Sequence, residues 1–159
     1  MALVELLLSP LPAHVRTARL VAVAAARRAG LDDERVDDLR LALGEACSRA
    51  VGLHARHAPG VPVNVTVRDD AGGLTVAVSD HGPAAGPAPD NLGEGLLEAG
   101  DEAADQGEVV DPDLALALVT GLVDDVEVTP TATGTTVTMR WPLSARLHQS
   151  LPATAAAED

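Results

Sequence analysis

Strict alternation of apolar and polar residues predicts β-strands in the middle and near the end of this chain. Residues 61–69, VPVNVTVRD, place four valines on one face beginning at Val61, and residues 73–80, GLTVAVSD, repeat the pattern after a DDAGG turn. Residues 135–143, TTVTMRWPL, alternate in the same way. Such strands predict a sheet with one apolar face and one wetter face, covered by helices on one side only.

A period of three to four residues predicts helices between these strands. The Ala-rich stretch at residues 13–29 is helical, with Gly30 as its C-cap, and a second helix starts at Asp32 or Asp33 and ends near HARHAPG. A third helix is expected at residues 113–125. The buried stripe of the second helix consists of Leu39, Leu43, Ala46, Ala50 and Leu53.

Residues 4–8 and 126–130 add two short strands, which gives the order β-α-α-β-β-loop-α-β-β. We therefore expect an α+β fold, a two-layer α/β sandwich whose mixed, mostly antiparallel sheet carries its helices on one face. One domain is expected at residues 1–143. It includes a long loop rich in Gly, Pro and acidic residues at 81–112, interpreted as lid-like, and residues 144–159 are expected to form a disordered tail.

Composition narrows the class of partner. The formal net charge of −13 argues against direct nucleic-acid binding, because the protein would repel phosphate, and it favours either basic protein partners or solubility alone. A single cysteine excludes an internal disulfide, and no window approaches 18 uncharged apolar residues. A cytoplasmic protein without a membrane segment is expected.

Four segments occur in the order of a known family: LRLALGEACSRAV from Leu39, VAVSDHGPA from Val76, LALALVTGLVDDVEV from Leu114 and GTTVTMRWPL from Gly134. Together they resemble the Bergerat-fold (GHKL) superfamily, the gyrase and histidine-kinase type of ATPase domain. Within it they are similar to the anti-sigma-factor serine/threonine kinase branch. The resemblance covers residues 4–142 and implies a histidine-kinase-like ATPase domain with ATP or ADP as candidate ligand.

The family's helix motif is Glu-Ala-x-x-Asn-Ala, in which the glutamate is the general base and the asparagine holds Mg²⁺. Glu45, Ala46 and Ala50 match, but Arg49 stands at the asparagine position. Arginine has no acceptor atom and cannot ligate Mg²⁺, so both magnesium binding and catalysis by Glu45 are doubtful. Arg49 either forms a surface i,i+4 salt bridge with Glu45 or contacts a phosphate directly.

The family's second motif is Asp-x-Gly-x-Gly after a strand, with the aspartate accepting from the adenine amino group. Asp80 and Gly82 match, and Ala84 replaces the second glycine; an ordinary turn would read the same way. Thr135 falls where a family threonine lines the nucleotide pocket; an ordinary β-branched strand residue is the alternative. Alignment of the third helix puts Asp113 and Ala115 where phosphate-binding glycines belong, which dismantles the phosphate end.

The resemblance also implies a protein-binding face. Arg19, in an Ala-Arg pair of the first helix, falls where this branch contacts its sigma factor and its antagonist, and Arg16 lies one turn earlier; solvated arginines are the alternative. His54 and His57 fall at a helix end, where cations are favourable.

Three functions stay open from the sequence. The first is an anti-sigma-type regulator that binds a sigma factor or a STAS-type antagonist, with nucleotide binding weakened or lost and a homodimer expected from its relatives. The second is an active serine/threonine protein kinase of this branch. The third is an acidic adaptor that uses the scaffold for another protein partner.

Overall fold

The computed structural model describes residues 1–83 and 111–143, and these ranges contain five strands and three helices. Most of the lid-like loop and the whole predicted tail lie outside the described residues. The elements are β1 (Ala2–Leu8), α1 (Pro12–Ala29), α2 (Asp33–His57), β2 (Val63–Asp70), β3 (Gly73–Asp80), α3 (Pro112–Leu122), β4 (Asp125–Pro130) and β5 (Thr135–Pro142).

The five strands form one open sheet in the order β1-β2-β3-β5-β4, and all four neighbouring pairs are antiparallel. This confirms the predicted α+β class and element order. Three details were wrong. The strand pairs of the described residues are all antiparallel, so the sheet is not mixed, and α3 ends at Leu122 instead of residue 125. Val61 lies before β2 and is 37% exposed. Pro62 has no N–H to donate to a neighbouring strand, so regular pairing begins at Val63.

The helix ends follow the signals in the sequence. The Asp32 side chain caps α2 by accepting a hydrogen bond from the Arg35 N–H at 2.9 Å. Gly30 closes α1 in the left-handed conformation, with φ of 97° and bonds to the carbonyls of Ala26 and Arg27. These two caps allow α1 and α2 to form a tight helical hairpin.

The core is built from small and branched apolar side chains. Alternate residues of β2, β3 and β5 are buried, and α1 and α2 cover that face of the sheet, while α3 packs against α2. All five residues of the predicted α2 stripe are buried. Arg49 and His54 of α2 are buried as well, so this helix carries polar groups into the core at 2% and 0% exposure.

No helix within residues 1–83 or 111–143 is long and apolar enough to cross a membrane.

Candidate functional site

The candidate site lies where β3 ends beneath α2. Asp80 is the last residue of β3, and Thr135 faces it across the sheet as its partner at the start of β5. Arg49 reaches the same place from α2. Cross-strand partners in an antiparallel sheet point to the same face, so Asp80 and Thr135 both face the helices, and both are buried.

An ion pair between Arg49 and Asp80 is the central contact of this site. Nη1 of Arg49 donates to Oδ2 of Asp80 at 2.5 Å, and the two side chains are 2% and 1% exposed. The other carboxylate oxygen, Oδ1, accepts from the Gly82 N–H at 2.9 Å. Each oxygen of the Asp80 carboxylate therefore already has a donor from the protein itself.

The predicted surface salt bridge between Glu45 and Arg49 is wrong. Within residues 1–83 and 111–143, the acidic partner of Arg49 is Asp80, and Arg49 is a core residue. Arg49 lies three residues after Ala46 and one before Ala50, so it belongs to the inward face of α2. A buried guanidinium needs a carboxylate that is buried with it, and half-exposed Glu45 does not meet that requirement.

Two glycines allow the chain to approach this pair closely. A Cβ on Gly134 would overlap the Asp80 carbonyl oxygen and lie 2.8 Å from the Cα of His81. A Cβ on Gly82 would lie 2.9 Å from the Cβ of Leu53 on α2. The turn at Asp80–Gly82 is therefore packed between α2 and the β4–β5 turn with no room for a side chain at either glycine.

His54 is a site residue that sequence reasoning missed. Its Nδ1 lies 2.7 Å from the Val61 carbonyl oxygen, and its Nε2 accepts from the His81 N–H at 2.8 Å. A carbonyl can only accept and an amide N–H can only donate, so the imidazole is neutral and carries its proton on Nδ1. The interpretation of His54 as a cation at a helix end was therefore wrong, whereas His57 is exposed there.

Two buried polar atoms of the site have no hydrogen-bond partner among the described residues: Nε of Arg49 and Oγ1 of Thr135. Buried polar groups normally have hydrogen-bond partners, so this cluster contains more hydrogen-bonding atoms than its own contacts satisfy. Its charges nevertheless balance, because one guanidinium meets one carboxylate.

The predicted phosphate end lies at the start of α3. Asp111 is the N-cap of this helix, and its carboxylate accepts from the Asp113 N–H at 2.9 Å. Asp113 itself is exposed in the first turn. A helix start attracts anions through its free N–H groups, but here a carboxylate of the chain already occupies that position and a second one stands beside it.

The predicted protein-binding arginines lie elsewhere, on α1. Arg16 is exposed, and the guanidinium of half-buried Arg19 lies against Gly44 of α2. Cys47 is nearby: burial raises the pKa of its thiol from 9.0 to about 12, and the Arg19 charge lowers that pKa by a smaller amount. The fold thus separates the predicted residues into an Asp80 cluster, with Arg49, Gly82 and Thr135, and an Arg19 face.

Comparison with known proteins agrees with this architecture. The Histidine kinase-like ATPase domain family matches the chain over residues 8–141. A solved structure with the same fold contains the RsbU and RsbW domains of Rv1364c from Mycobacterium tuberculosis, with a TM-score of 0.61 and 20% identity. The alignment covers 92% of this chain and 34% of that one, so this chain spans about a third of its length. No curated protein matches the chain. The match over residues 8–141 confirms the family inferred from the sequence motifs: the chain belongs to the histidine kinase-like ATPase domain family.

Proposed function

We propose that the protein is a regulator of the anti-sigma type, which binds a sigma factor or a STAS-type antagonist and in which ATP binding is weakened or lost. Three observations support this. The chain belongs to the histidine kinase-like ATPase domain family, its motifs resemble the anti-sigma branch, and it shares its fold with a chain that includes an RsbW domain. The observation that carries the weakened ATP binding is the buried pair between Arg49 and Asp80.

The pair competes with adenine for the same carboxylate. The resemblance gives Asp80 the role of accepting from the adenine amino group, but its two oxygens already accept from Arg49 and Gly82. Breaking a buried ion pair costs about 3–5 kcal/mol. If nucleotide had to break the pair, its affinity would fall by a factor of about 10²–10⁴.

A magnesium–triphosphate does not fit the remaining residues either. The guanidinium of Arg49 offers no oxygen to Mg²⁺, and the start of α3 presents Asp111 and Asp113 where phosphates should lie. The charges at both positions are thus the reverse of what the ligand needs. We therefore propose a protein that keeps the ATPase fold as a scaffold for protein binding.

Titration calorimetry with ATP and with ADP, each with and without Mg²⁺, tests the nucleotide part. We expect no binding in the micromolar range for the wild type. Arg49→Asn frees the Asp80 carboxylate and restores an amide oxygen at the metal position, so any residual affinity should rise and become Mg²⁺-dependent. Arg40→Asn, an exposed change on the same helix, is the matched control and should behave as wild type. Micromolar Mg²⁺-dependent binding to the wild type would favour the active kinase instead.

Direct binding tests the partner part. Purified sigma factors and STAS-domain proteins from the source genome are titrated against the chain, and we expect at least one to bind. Arg19→Ala should weaken that binding by about 30-fold, the scale of an interface arginine, and Arg16→Ala should have a smaller effect. Arg28→Ala, exposed at the far end of α1, is the control. If no sigma factor or STAS protein binds, the acidic adaptor becomes the favoured function. Analytical ultracentrifugation of the free chain tests whether it forms a homodimer.

A further inference from the structure

A glycine in the middle of α2 makes room for the charged end of Arg19. A Cβ built on Gly44 would lie 2.6 Å from Nε and 2.8 Å from Cζ of Arg19, far inside normal contact distance. Gly44 is buried and sits in the interior of a 25-residue helix, where glycine is less favourable than alanine. Helix stability alone would therefore favour a larger residue at this position.

The guanidinium that fills this space is itself incompletely satisfied. Nε of Arg19 is shielded from solvent and has no hydrogen-bond partner in the described part of the chain. Among those residues Arg19 also has no ion-pair partner, unlike Arg49 and Arg140. Two locally unfavourable features thus coincide on one spot outside the Asp80 cluster, and such coincidences are expected at functional sites.

We propose that Gly44 is a positioning residue that lets the Arg19 guanidinium pack closely against α2, ready for a carboxylate of a protein partner. This inference rests on the proposed function, in which Arg19 contacts the partner. The missing Cβ leaves room for the guanidinium beside α2, so this group is held by packing while Arg19 remains partly accessible. A pre-oriented side chain loses less conformational freedom on binding, which strengthens the contact.

The surroundings define the partner's chemistry. Leu20 follows Arg19 on α1 and is 63% exposed, and Leu41 lies one turn before Gly44 on α2 and is 55% exposed. A partly accessible cation on helices that also expose leucines fits a protein surface that presents an Asp or Glu beside apolar side chains. In a chain of net charge −13, general charge attraction does not draw an acidic partner to this surface, so the local contact with Arg19 matters more.

The test compares two glycine substitutions on the same helix. Gly44→Ala and Gly52→Ala both improve helix propensity, but a Cβ on Gly52 meets nothing within 4 Å. We expect Gly52→Ala to raise Tm by about 2–4 °C. Gly44→Ala should raise Tm or leave it unchanged, because the flexible guanidinium can move aside. A Tm that falls by more than 4 °C would show that the glycine is needed for packing and would overturn the positioning role.

The position of Arg19 is read without any partner, from its Nε–H signal in ¹H–¹⁵N NMR spectra, identified by its loss in Arg19→Ala. Solvent exchange of this proton should be slow in the wild type and in Gly52→Ala, and at least about tenfold faster in Gly44→Ala, because its shielding depends on the contact with α2. An unchanged exchange rate in Gly44→Ala would overturn the proposal, whatever the partner is.

Binding completes the test, with the sigma factor or STAS protein that binds the wild type as the probe. Gly44→Ala should bind about tenfold more weakly and Gly52→Ala as wild type. In an Arg19→Ala background, Gly44→Ala should cause no further loss, because the group that it displaces is gone. An equal loss in both backgrounds would overturn the positioning role alone. If Arg19→Ala binds the probe as tightly as the wild type, the proposed contact between Arg19 and a partner carboxylate is wrong. If no sigma factor or STAS protein binds the wild type, the proposed function itself is wrong.

Discussion

Two arginine–carboxylate clusters lie towards opposite ends of the paired strands β3 and β5, and they differ mainly in their access to water. Arg49 meets Asp80 at 2.5 Å, with both side chains almost fully buried. Arg140, on β5, meets Asp125 at 3.1 Å and Glu127 at 2.7 Å across the β4 edge, with all three side chains at least 40% exposed. The distances are similar, so contact geometry does not separate the two clusters.

Burial gives the two clusters different roles. The hydrogen bond that Arg140 donates to Glu127, followed by the one it donates to Asp125, raises the pKa of Arg140 above its usual value. Water nevertheless solvates all three groups before and after the contacts form. At Asp80 each charge has left water and depends on the other. The buried pair therefore fixes the end of β3 against α2. The exposed cluster lies on the surface of the edge strand β4 and contributes little to its position.

Asp80→Ala should have the largest effect, because it leaves the Arg49 guanidinium buried without a counter-charge. Removal of one partner of a buried pair destabilises by about 3–5 kcal/mol, a large part of the stability of a small domain. Urea unfolding followed by circular dichroism measures it. Arg49→Ala is the reciprocal variant and should fall in the same range. A loss below about 1 kcal/mol in both would show that the pair behaves as a solvated one.

His54 should come second, because it holds the turn that carries Asp80. In His54→Ala the Val61 carbonyl and the His81 N–H both lose their partner, which destabilises by about 2–3 kcal/mol. Amide hydrogen exchange at His81 measures this contact locally and should accelerate strongly. His57→Ala, an exposed change at the end of the same helix, should leave that exchange unchanged. If His81 exchanges equally fast in the wild type, the turn is held by other contacts.

Features that depend on residues close together in the sequence could be predicted from it. Alternation in β2, β3 and β5, the stripe of α2 and the caps at Gly30 and Asp32 are local patterns, and the structure confirms them because each depends only on spacing along the chain. The motifs also identified Asp80, Gly82, Arg49 and Thr135, which the fold brings together.

The partner of each polar group could not be predicted in the same way. Arg49 is four residues from Glu45, which suggested a local pair, but 31 residues from Asp80, which is its partner. His54 bonds to the His81 backbone, 27 residues away, and a backbone N–H leaves no mark in the sequence. A histidine near a helix end looks the same whether it is exposed or buried. One signal was available in the sequence: Arg49 lies on the face of α2 that carries the apolar stripe, and an arginine on that face needs a buried acidic partner from elsewhere in the chain.

Cys47 is a buried titratable group that is uncharged in the folded protein, so burial should make stability depend on pH. Burial raises the pKa of its thiol to about 12, against 9.0 in the unfolded chain, so between these values only the unfolded state loses the proton. Stability should therefore be complete below pH 9 and fall as pH rises, by about 1.4 kcal/mol at pH 10. The sequence contains no lysine and no tyrosine, so few other groups titrate there.

Urea unfolding at pH 8 and pH 10 measures this effect, with Cys47→Ala as the control that lacks the thiol. The stability difference between wild type and control should shrink by about 1.4 kcal/mol over that interval. Native Cys47 should also resist N-ethylmaleimide at pH 8 until urea unfolds the chain. Rapid native labelling would mean that α2 opens often enough to expose its core, and the buried pair on the same helix would then be solvated too.

Arg140→Ala should have the smallest effect of all. Its guanidinium bonds to two carboxylates, one more than that of Arg49, so the number of contacts alone would rank it as the stronger stabiliser. If access to water decides, its removal should leave Tm unchanged within error at 0.15 M salt, because Asp125 and Glu127 are solvated in either case. Differential scanning fluorimetry at low and high salt measures this. A Tm loss equal to that of Arg49→Ala would mean that the exposed network pins the β4 edge, and that burial does not set the ranking of the two clusters.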